Sequence, residues 1–342
     1  MKCSTTAFIL SSAFSVALAM DFKPPTPAER LKAIGSTKGL SETMIKALDP
    51  GDDFAPVPVP KPGDWLAVHR ETGQSFDDFV KSKPNRPDNI RNQIYLQPLG
   101  EFPEGRIPLV QTLREYAAAY FNMEVQVLAS LRLDDSAITT RVNPFTGNRQ
   151  ILTGDVLAIL KKNLPADAFC VLAITMTDLY PDPSWNFVFG QASLRQRVGV
   201  YSFARYDPVF YGQRRGKDYE QLLLRRSCKV LVHETGHMFG LMHCVYFKCV
   251  LNGSNHLQES DSRPLHLCPV CLRKLKYGIA GDRRGDKGDS GTKFDIVSRY
   301  AGLLRFYRKA GFDGDAEWVA NRLEWILGPE KAGEITKRES ER

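Results

Sequence analysis

The feature that most constrains this chain of 342 residues is the run HETGHMFGLMH, from His233 to His243. His233 and His237 are four residues apart, so on an α-helix both imidazoles leave the same face and can hold one ion. Gly240 lets the chain leave the helix through a conformation that a side chain resists, which turns His243 back toward the other two rings. The run therefore predicts a metal site with three histidine ligands.

Three neutral imidazoles leave the fourth position of a tetrahedral zinc ion open, as in catalytic rather than structural sites. Glu234 follows the first histidine, where its carboxylate can reach a water on the metal without being a ligand. Zinc lowers the pKa of such a water to about 7 and polarises a carbonyl, while a glutamate base moves the proton to the leaving amine. An ordinary amphipathic helix gives HExxH by chance, but Gly240 and His243 at fixed offsets disfavour that alternative.

Four cysteines follow the third histidine as two close pairs, Cys244 with Cys249 and Cys268 with Cys271. Two such pairs separated by a short polar loop suit a closed tetrahedral zinc site, in which no position remains for substrate. The segment has too little apolar surface to fold alone, so metal binding would supply its folding free energy. Two disulfides or four core thiols are the alternatives, and the CxxC with its partner pair favours zinc. We therefore expect two zinc ions per chain, one catalytic and one structural.

Other residues are weaker candidates. His256, between the cysteine pairs, either lines the cleft or lies on the surface. His266 is expected beside the structural zinc rather than as a ligand, and His69 is expected to be exposed. The phenol of a tyrosine could donate a hydrogen bond to an oxyanion, and the sequence does not choose among three candidates: Tyr201, Tyr206 and Tyr246.

The order HExxHxxGxxH, CxxxxC, CxxC resembles that of the archaemetzincins (archaelysins), zinc metallopeptidases that carry a catalytic zinc beside a four-cysteine zinc. The resemblance is to the eukaryotic branch and covers roughly residues 60 to 310, since further stretches are also similar: 167–170, 175–180, 184–192, 201–206 and 253–257. It implies a metallopeptidase with a peptide or protein substrate. At the position where the family has a methionine, two residues after the second cysteine, this chain has Leu251. Leucine has similar volume and apolarity, so we expect a packed floor beneath the catalytic zinc.

Two classes of function stay open on the sequence. The first is a zinc-dependent peptidase with a zinc-activated water and Glu234 as general base. The second is a zinc-stabilised binding or scaffold protein with little or no peptidase activity. Glu234 favours the first, because a scaffold has no physical need for it, whereas Leu251 slightly favours the second.

Helices alternating with strands predict an α+β fold with a mixed twisted sheet. The resemblance adds a metzincin-like zinc-peptidase arrangement, with a long active-site helix over about 219–239 and a smaller C-terminal zinc-bound subdomain. The catalytic domain is expected over 64–328, with an upper part to about 240 and a zinc-stabilised lower part over 241–328. The same resemblance implies that a strand over 185–192 lies at the sheet edge facing the cleft, where free backbone groups can pair with an extended peptide.

The two ends of the chain carry separate expectations. Residues 1–19 have the three parts of a secretory signal, from Lys2 to Ala17-Leu18-Ala19. Residues 20–63 are expected to be a proline-rich arm or linker, and 329–342 a disordered tail. The signal slightly favours the secretory pathway. Thiolate-bound zinc, and the intracellular location of related archaemetzincins, point to a reducing compartment instead.

Composition limits the partners. Lys and Arg outnumber Asp and Glu by 46 to 39, but the charges are scattered and form no basic face interleaved with aromatic residues, so nucleic-acid binding is not expected. No apolar run is long enough to span a bilayer. We expect a monomer.

Overall fold

A computed structural model of the chain describes residues 22–102, 110–134, 137–281 and 294–339. The helices in these ranges are α1 (Pro27–Ile34), α2 (Glu42–Leu48), α3 (Trp65–Val68), α4 (Phe76–Lys81), α5 (Val110–Phe121), α6 (Thr153–Lys162), α7 (Tyr219–Met238), α8 (Leu257–Ser262), α9 (Pro269–Ala280), α10 (Ile296–Lys309), α11 (Asp313–Leu327) and α12 (Pro329–Arg338). The strands are β1 (Gln93–Leu99), β2 (Val125–Val127), β3 (Thr140–Val142), β4 (Arg149–Leu152), β5 (Ala168–Thr175), β6 (Asp178–Tyr180), β7 (Gly190–Ser193) and β8 (Val198–Ser202).

The larger sheet has five strands in the order β2-β1-β5-β8-β7. β1 runs parallel to β2 and β5, and β5 runs parallel to β8, whereas β7 runs antiparallel to β8. Every residue of β5 is buried, as befits a central strand covered on both faces. A smaller sheet, β3-β4-β6, also combines one antiparallel and one parallel pairing. The expected mixed sheet is confirmed.

The long helix expected over about 219–239 is present as α7, and it packs against α5 and against strands of the larger sheet. β7 lies at the edge of that sheet, as expected, but it is shorter than the predicted strand. Residues 185–189 precede it, and within them Val188 forms an isolated bridge with Leu179. No helix in the described ranges combines the length and apolarity needed to cross a membrane.

The proline-rich segment differs from the expected arm or linker, because residues 22–63 contribute to the main core. Ile34, Met44 and Phe54 are buried there, and α1 and α2 pack against α9. The buried guanidinium of Arg322 holds the segment through an ion pair of 2.7 Å with Asp53 and through hydrogen bonds to backbone carbonyls in the last turn of α2 and just after it. The apolar faces of the two short helices, rather than the proline content, decide how the segment packs.

The expected disordered tail is likewise wrong for most of its length. Pro329 begins α12, where its fixed φ suits the first turn. Ala332 is buried, and the helix packs against α11 and α10. Residues 340–342 and the signal-like residues 1–19 lie outside the described ranges.

Candidate metal centre

The three histidines of the motif converge within the described structure. His233 and His237 leave one face of α7, and their Nε2 atoms are 3.1 Å apart. The ring centroid of His243 lies 5.3 Å from that of His233 and 5.1 Å from that of His237. One nitrogen from each ring falls within 4.8 Å of the others, and all three side chains are buried. A single ion can therefore contact all three.

Each ring is oriented by an acceptor at Nδ1. His233 donates to the carbonyl of Val250 at 2.8 Å, and His237 donates to that of Leu241 at 2.6 Å. His243 donates to Oε1 of Glu71 at 2.7 Å. Because Nδ1 carries the proton in each case, the Nε2 lone pair is the one left for a metal.

Burial also keeps two of these imidazoles neutral. It lowers the pKa of His233 well below its ordinary value, and it lowers that of His237 to about 3. The charge of neighbouring histidines acts in the same direction. Neutral imidazoles are the form that binds zinc, so the donor set fits the metal that the motif implies.

The turn after α7 brings in the third histidine as the sequence predicts. Gly240 has a φ of 83°, a region that favours glycine. Its N–H donates to the carbonyl of His237 at 2.8 Å, and the N–H of Leu241 donates to that of Gly236 at 3.2 Å. A Cβ on Gly240 would lie 2.9 Å from Cβ of Pro84. Both the backbone angle and the close approach therefore require glycine.

Glu234 is buried on α7 next to His233. Burial raises its pKa to about 8, while the charge of Arg263 acts to lower it. Tyr201, Tyr206 and Arg263 are close enough to Glu234 to interact with it electrostatically. The carboxylate therefore lies in a poorly solvated position beside the histidine cluster.

The carboxylate of Glu71 was not found by sequence reasoning. Besides accepting from His243, its Oε1 accepts from Nε1 of Trp65 at 2.6 Å, and the Trp65 ring stands edge-on to His243 at 5.0 Å. Burial acts to raise the pKa of Glu71, but the hydrogen bond and charge of His243 and the bond from Trp65 outweigh it and lower the pKa. The group is therefore a carboxylate that orients the third histidine.

The four cysteines of the second motif form a cluster of their own. Their Sγ atoms lie within 4.8 Å of one another, all four are buried, and none of the described cysteines forms a disulfide. The N–H groups of Leu251 and Cys268 approach Sγ of Cys249 at 3.5 and 3.3 Å. Cys268 caps α9 and Cys271 lies in its first turn, where the positive end of the helix dipole favours thiolates. The cluster has the donor chemistry of a closed zinc site.

Asn252 ties this cluster together, a role the sequence did not reveal. Its Nδ2 donates to the carbonyls of Cys244 at 2.7 Å and Phe247 at 3.0 Å, and its Oδ1 accepts from the N–H of Cys249 at 2.7 Å. Val250, two residues before Asn252, supplies the carbonyl that orients His233. The two metal-ligand sets therefore share one short stretch of backbone.

Leu251 is fully buried beneath the helix that carries the histidines. A methyl group on Gly236 would lie 3.3 Å from its Cδ1, so the leucine packs directly against α7 between His233 and His237. Its carbonyl accepts from the N–H of Cys244 at 2.8 Å. The expected packed floor is thus present with leucine.

The weaker candidates lie in different places. His69 is half-buried rather than exposed, because its ring stacks on Trp65 at 3.8 Å. His266 stacks on Trp318 at 3.8 Å and does not join the thiol cluster. His256 caps α8 at the rim of a cavity that His233 and Tyr206 also line. Cys170 and Cys228, the other two described cysteines, are also buried.

Known proteins resemble this chain across most of its length. The model of Peptidase family M54 matches residues 135–277. Archaemetzincin-2 from Macaca fascicularis is 42% identical over 297 residues, which cover 78% of this chain and 79% of that protein. Archaemetzincin-2 from Homo sapiens is 41% identical with the same coverage. A crystal structure of archaemetzincin (AmzA) from Archaeoglobus fulgidus is 30% identical, covers 53% of this chain and 99% of that one, and gives a TM-score of 0.39.

These matches and the histidine site define a zinc-dependent metallopeptidase. The identity to archaemetzincin-2 extends over more than three quarters of both sequences, far beyond the metal motifs. The chain belongs to the archaemetzincin family, and the resemblance inferred from its motifs is confirmed.

Proposed function

We propose that this chain hydrolyses peptide bonds at the site formed by His233, His237 and His243, with Glu234 as the general base. The observation that carries the proposal is the convergence of three buried imidazoles, each with Nδ1 already engaged, next to a buried carboxylate. The substrate is a peptide or protein, as the family implies.

Zinc held by the three imidazoles would supply Lewis-acid chemistry, lowering the pKa of a water and polarising the scissile carbonyl. Glu234 takes a proton from the attacking water and passes it to the leaving amine, a role its place beside His233 suits without its being a ligand. Glu71 and the two backbone carbonyls hold the rings in place. The edge strand β7 offers backbone groups to an extended substrate.

A second zinc at Cys244, Cys249, Cys268 and Cys271 would be structural, giving two ions per chain in the metzincin-like arrangement of an upper part and a zinc-stabilised lower part. The thiols lie in a fully buried cluster, so no position is open to substrate. We further propose that the chain acts as a monomer and does not bind nucleic acid, since its positive charges are dispersed.

The test compares the parent with Glu234→Gln. The variant should keep both zincs, measured by elemental analysis, and lose activity on a mixed peptide library by a factor of hundreds or more, because it lacks the base. Exposed Glu115, which pairs with Lys309, provides the control variant Glu115→Gln, whose activity should equal that of the parent. Equal cleavage by Glu234→Gln would remove the glutamate from the mechanism. A zinc-loaded parent that cleaves nothing would restore the scaffold interpretation.

A further inference from the structure

A narrow cavity opens directly beside His233. Its apolar wall contains Phe189, Val230 and Leu257, and its polar wall contains Tyr206 and Arg263. The volume in which the centre of a water molecule can lie is about 20 Å³. The cavity therefore has room for a carboxylate or for one or two waters, but not for an aromatic ring. His233 lines the cavity and is also one of the three histidines of the metal site. The cavity therefore lies next to the point of cleavage, and a substrate side chain or terminus that enters it comes from a residue adjacent to the scissile bond.

Arg263 is the unusual member of the lining. Its side chain is only 8% exposed, and its terminal nitrogens donate to the carbonyl of Asn252 and to Oγ of Ser260. Its Nε is buried and has no hydrogen-bond partner among the described residues. Among the described residues, no carboxylate oxygen lies within 4.0 Å of a guanidinium nitrogen of Arg263, so the arginine forms no ion pair there. A buried cation without an anion is costly.

The carboxylates nearest in sequence are already used elsewhere. Glu259 accepts from the N–H of Trp65 with Oε1 and from that of Asn255 with Oε2. Asp261 forms a two-bond ion pair with Arg226 at 2.6 and 2.9 Å. Glu259 and, more weakly, Glu234 act on Arg263 electrostatically, but Glu259 is engaged by two backbone N–H groups and Glu234 is assigned to proton transfer in the proposed mechanism. The protein therefore leaves the positive charge at the cavity without a close partner of its own.

We propose that this cavity receives a carboxylate of the substrate and that Arg263 determines this preference. The inference deepens the proposed peptidase function, on which it rests. A carboxylate would supply the missing anion and an acceptor for Nε, and the apolar wall would contact the methylene carbons that carry it. The same carboxylate chemistry has two sources in a peptide: an aspartate or glutamate side chain next to the cleaved bond, or the free C-terminus of a short peptide.

The first experiment uses zinc-loaded parent protein and matched peptides. In one pair, the residue beside the mapped cleavage point is glutamate or glutamine. In the other, a peptide that ends one residue beyond that point has a free acid or an amide. We expect kcat/KM to favour the carboxylate member of one pair by at least about tenfold, the scale of one charge-assisted hydrogen bond. The pair that responds identifies the source, and ratios within about twofold in both pairs overturn the inference.

The second experiment measures binding, so it remains decisive if the parent cleaves nothing. Zinc-loaded Glu234→Gln is titrated with the same labelled peptides, and the carboxylate member should bind at least about tenfold more tightly. Adding Arg263→Gln should reduce that ratio to about one, whereas the control Arg149→Gln, an exposed cation outside the cavity lining, should leave it unchanged. Equal affinities within each pair refute the carboxylate pocket whatever the activity, and absent cleavage alone refutes only the peptidase function.

Should Arg263→Gln misfold through its lost bond to Asn252, Arg263→Lys keeps the charge but not the planar fork. We expect it to retain part of the carboxylate preference, with the remaining ratio falling as salt is raised. A preference as large as that of the parent and insensitive to salt would show that the guanidinium is not the source.

Discussion

Removing the carboxylate of Glu71 should weaken zinc binding at the histidine site although Glu71 is not a ligand. Oε1 of Glu71 accepts both from Nδ1 of His243 and from Nε1 of Trp65. In Glu71→Ala the His243 ring loses the acceptor that fixes its tautomer and direction. A hydrogen bond to a charged group contributes about 1.5–3 kcal/mol, which corresponds to zinc affinity lower by about 10–100-fold.

Glu71→Gln separates geometry from charge. Both hydrogen bonds end on one oxygen, so a glutamine amide oxygen in the same place can accept both while the negative charge is lost. We expect a loss of less than about tenfold for glutamine, well below that for alanine. The surface variant Glu115→Gln serves again as the matched control and should bind zinc like the parent.

The assay is competition for zinc against a chromophoric chelator, together with metal content per chain. The Glu71 variants should change the affinity of the ion that the chelator removes first. That ion should be the one at the histidine site, because this site has an open coordination position and the thiol site does not. Parental zinc affinity in Glu71→Ala would refute the orienting role of Glu71. Equal losses for alanine and glutamine would assign the effect to charge alone.

Three further predictions concern the rest of the fold. Cys268→Ser should lower the melting temperature more than His237→Ala, because metal held by the four thiols would order the segment after α7. Thermal melts at equal protein concentration test this, and equal melting temperatures would contradict it. Leu251→Met should change peptidase activity by less than about tenfold, since it replaces one buried apolar side chain with another of similar volume; a larger change in kcat/KM would contradict a simple packing role. Burial lowers the pKa of Lys229 to about 7, below its unfolded value, so the unfolded chain binds more protons between about pH 7 and 10 and stability should rise with pH there. Lys229→Met should flatten that rise in denaturant titrations, and an unchanged slope would show that Lys229 is not its cause.

The parts of the site that follow from local geometry were predictable from sequence. Helix periodicity places His233 and His237 on one face of α7, and a glycine with positive φ returns the chain to His243. The CxxC at the start of α9 is equally local. Each expectation depended on spacings of a few residues, within which the backbone has few alternatives.

The residues that were missed are brought to the site by tertiary folding. Glu71 lies 172 residues before His243, and no local sequence pattern distinguishes it from other acidic residues near helix ends. The same holds for Asn252 and Arg263, whose importance depends on burial and on which partners are already used. The segment 22–63 was misjudged for the converse reason, since its proline content is local while its burial against α9 and α11 is not.

The sharing of backbone between the two ligand sets gives the four-cysteine cluster a direct bearing on catalysis. Val250 lies between Cys249 and Leu251, so its carbonyl can orient His233 only while the cysteine loop keeps its shape. Asn252 fixes that loop from the other side, and its own carbonyl accepts from Arg263. Metal bound by the thiols would thus order three things at once: the acceptor for a zinc-binding histidine, the packed floor under α7, and the arginine of the substrate cavity. A structural ion at the four cysteines would therefore stabilise the geometry of the histidine site itself, because the segment that it would order forms one wall of that site.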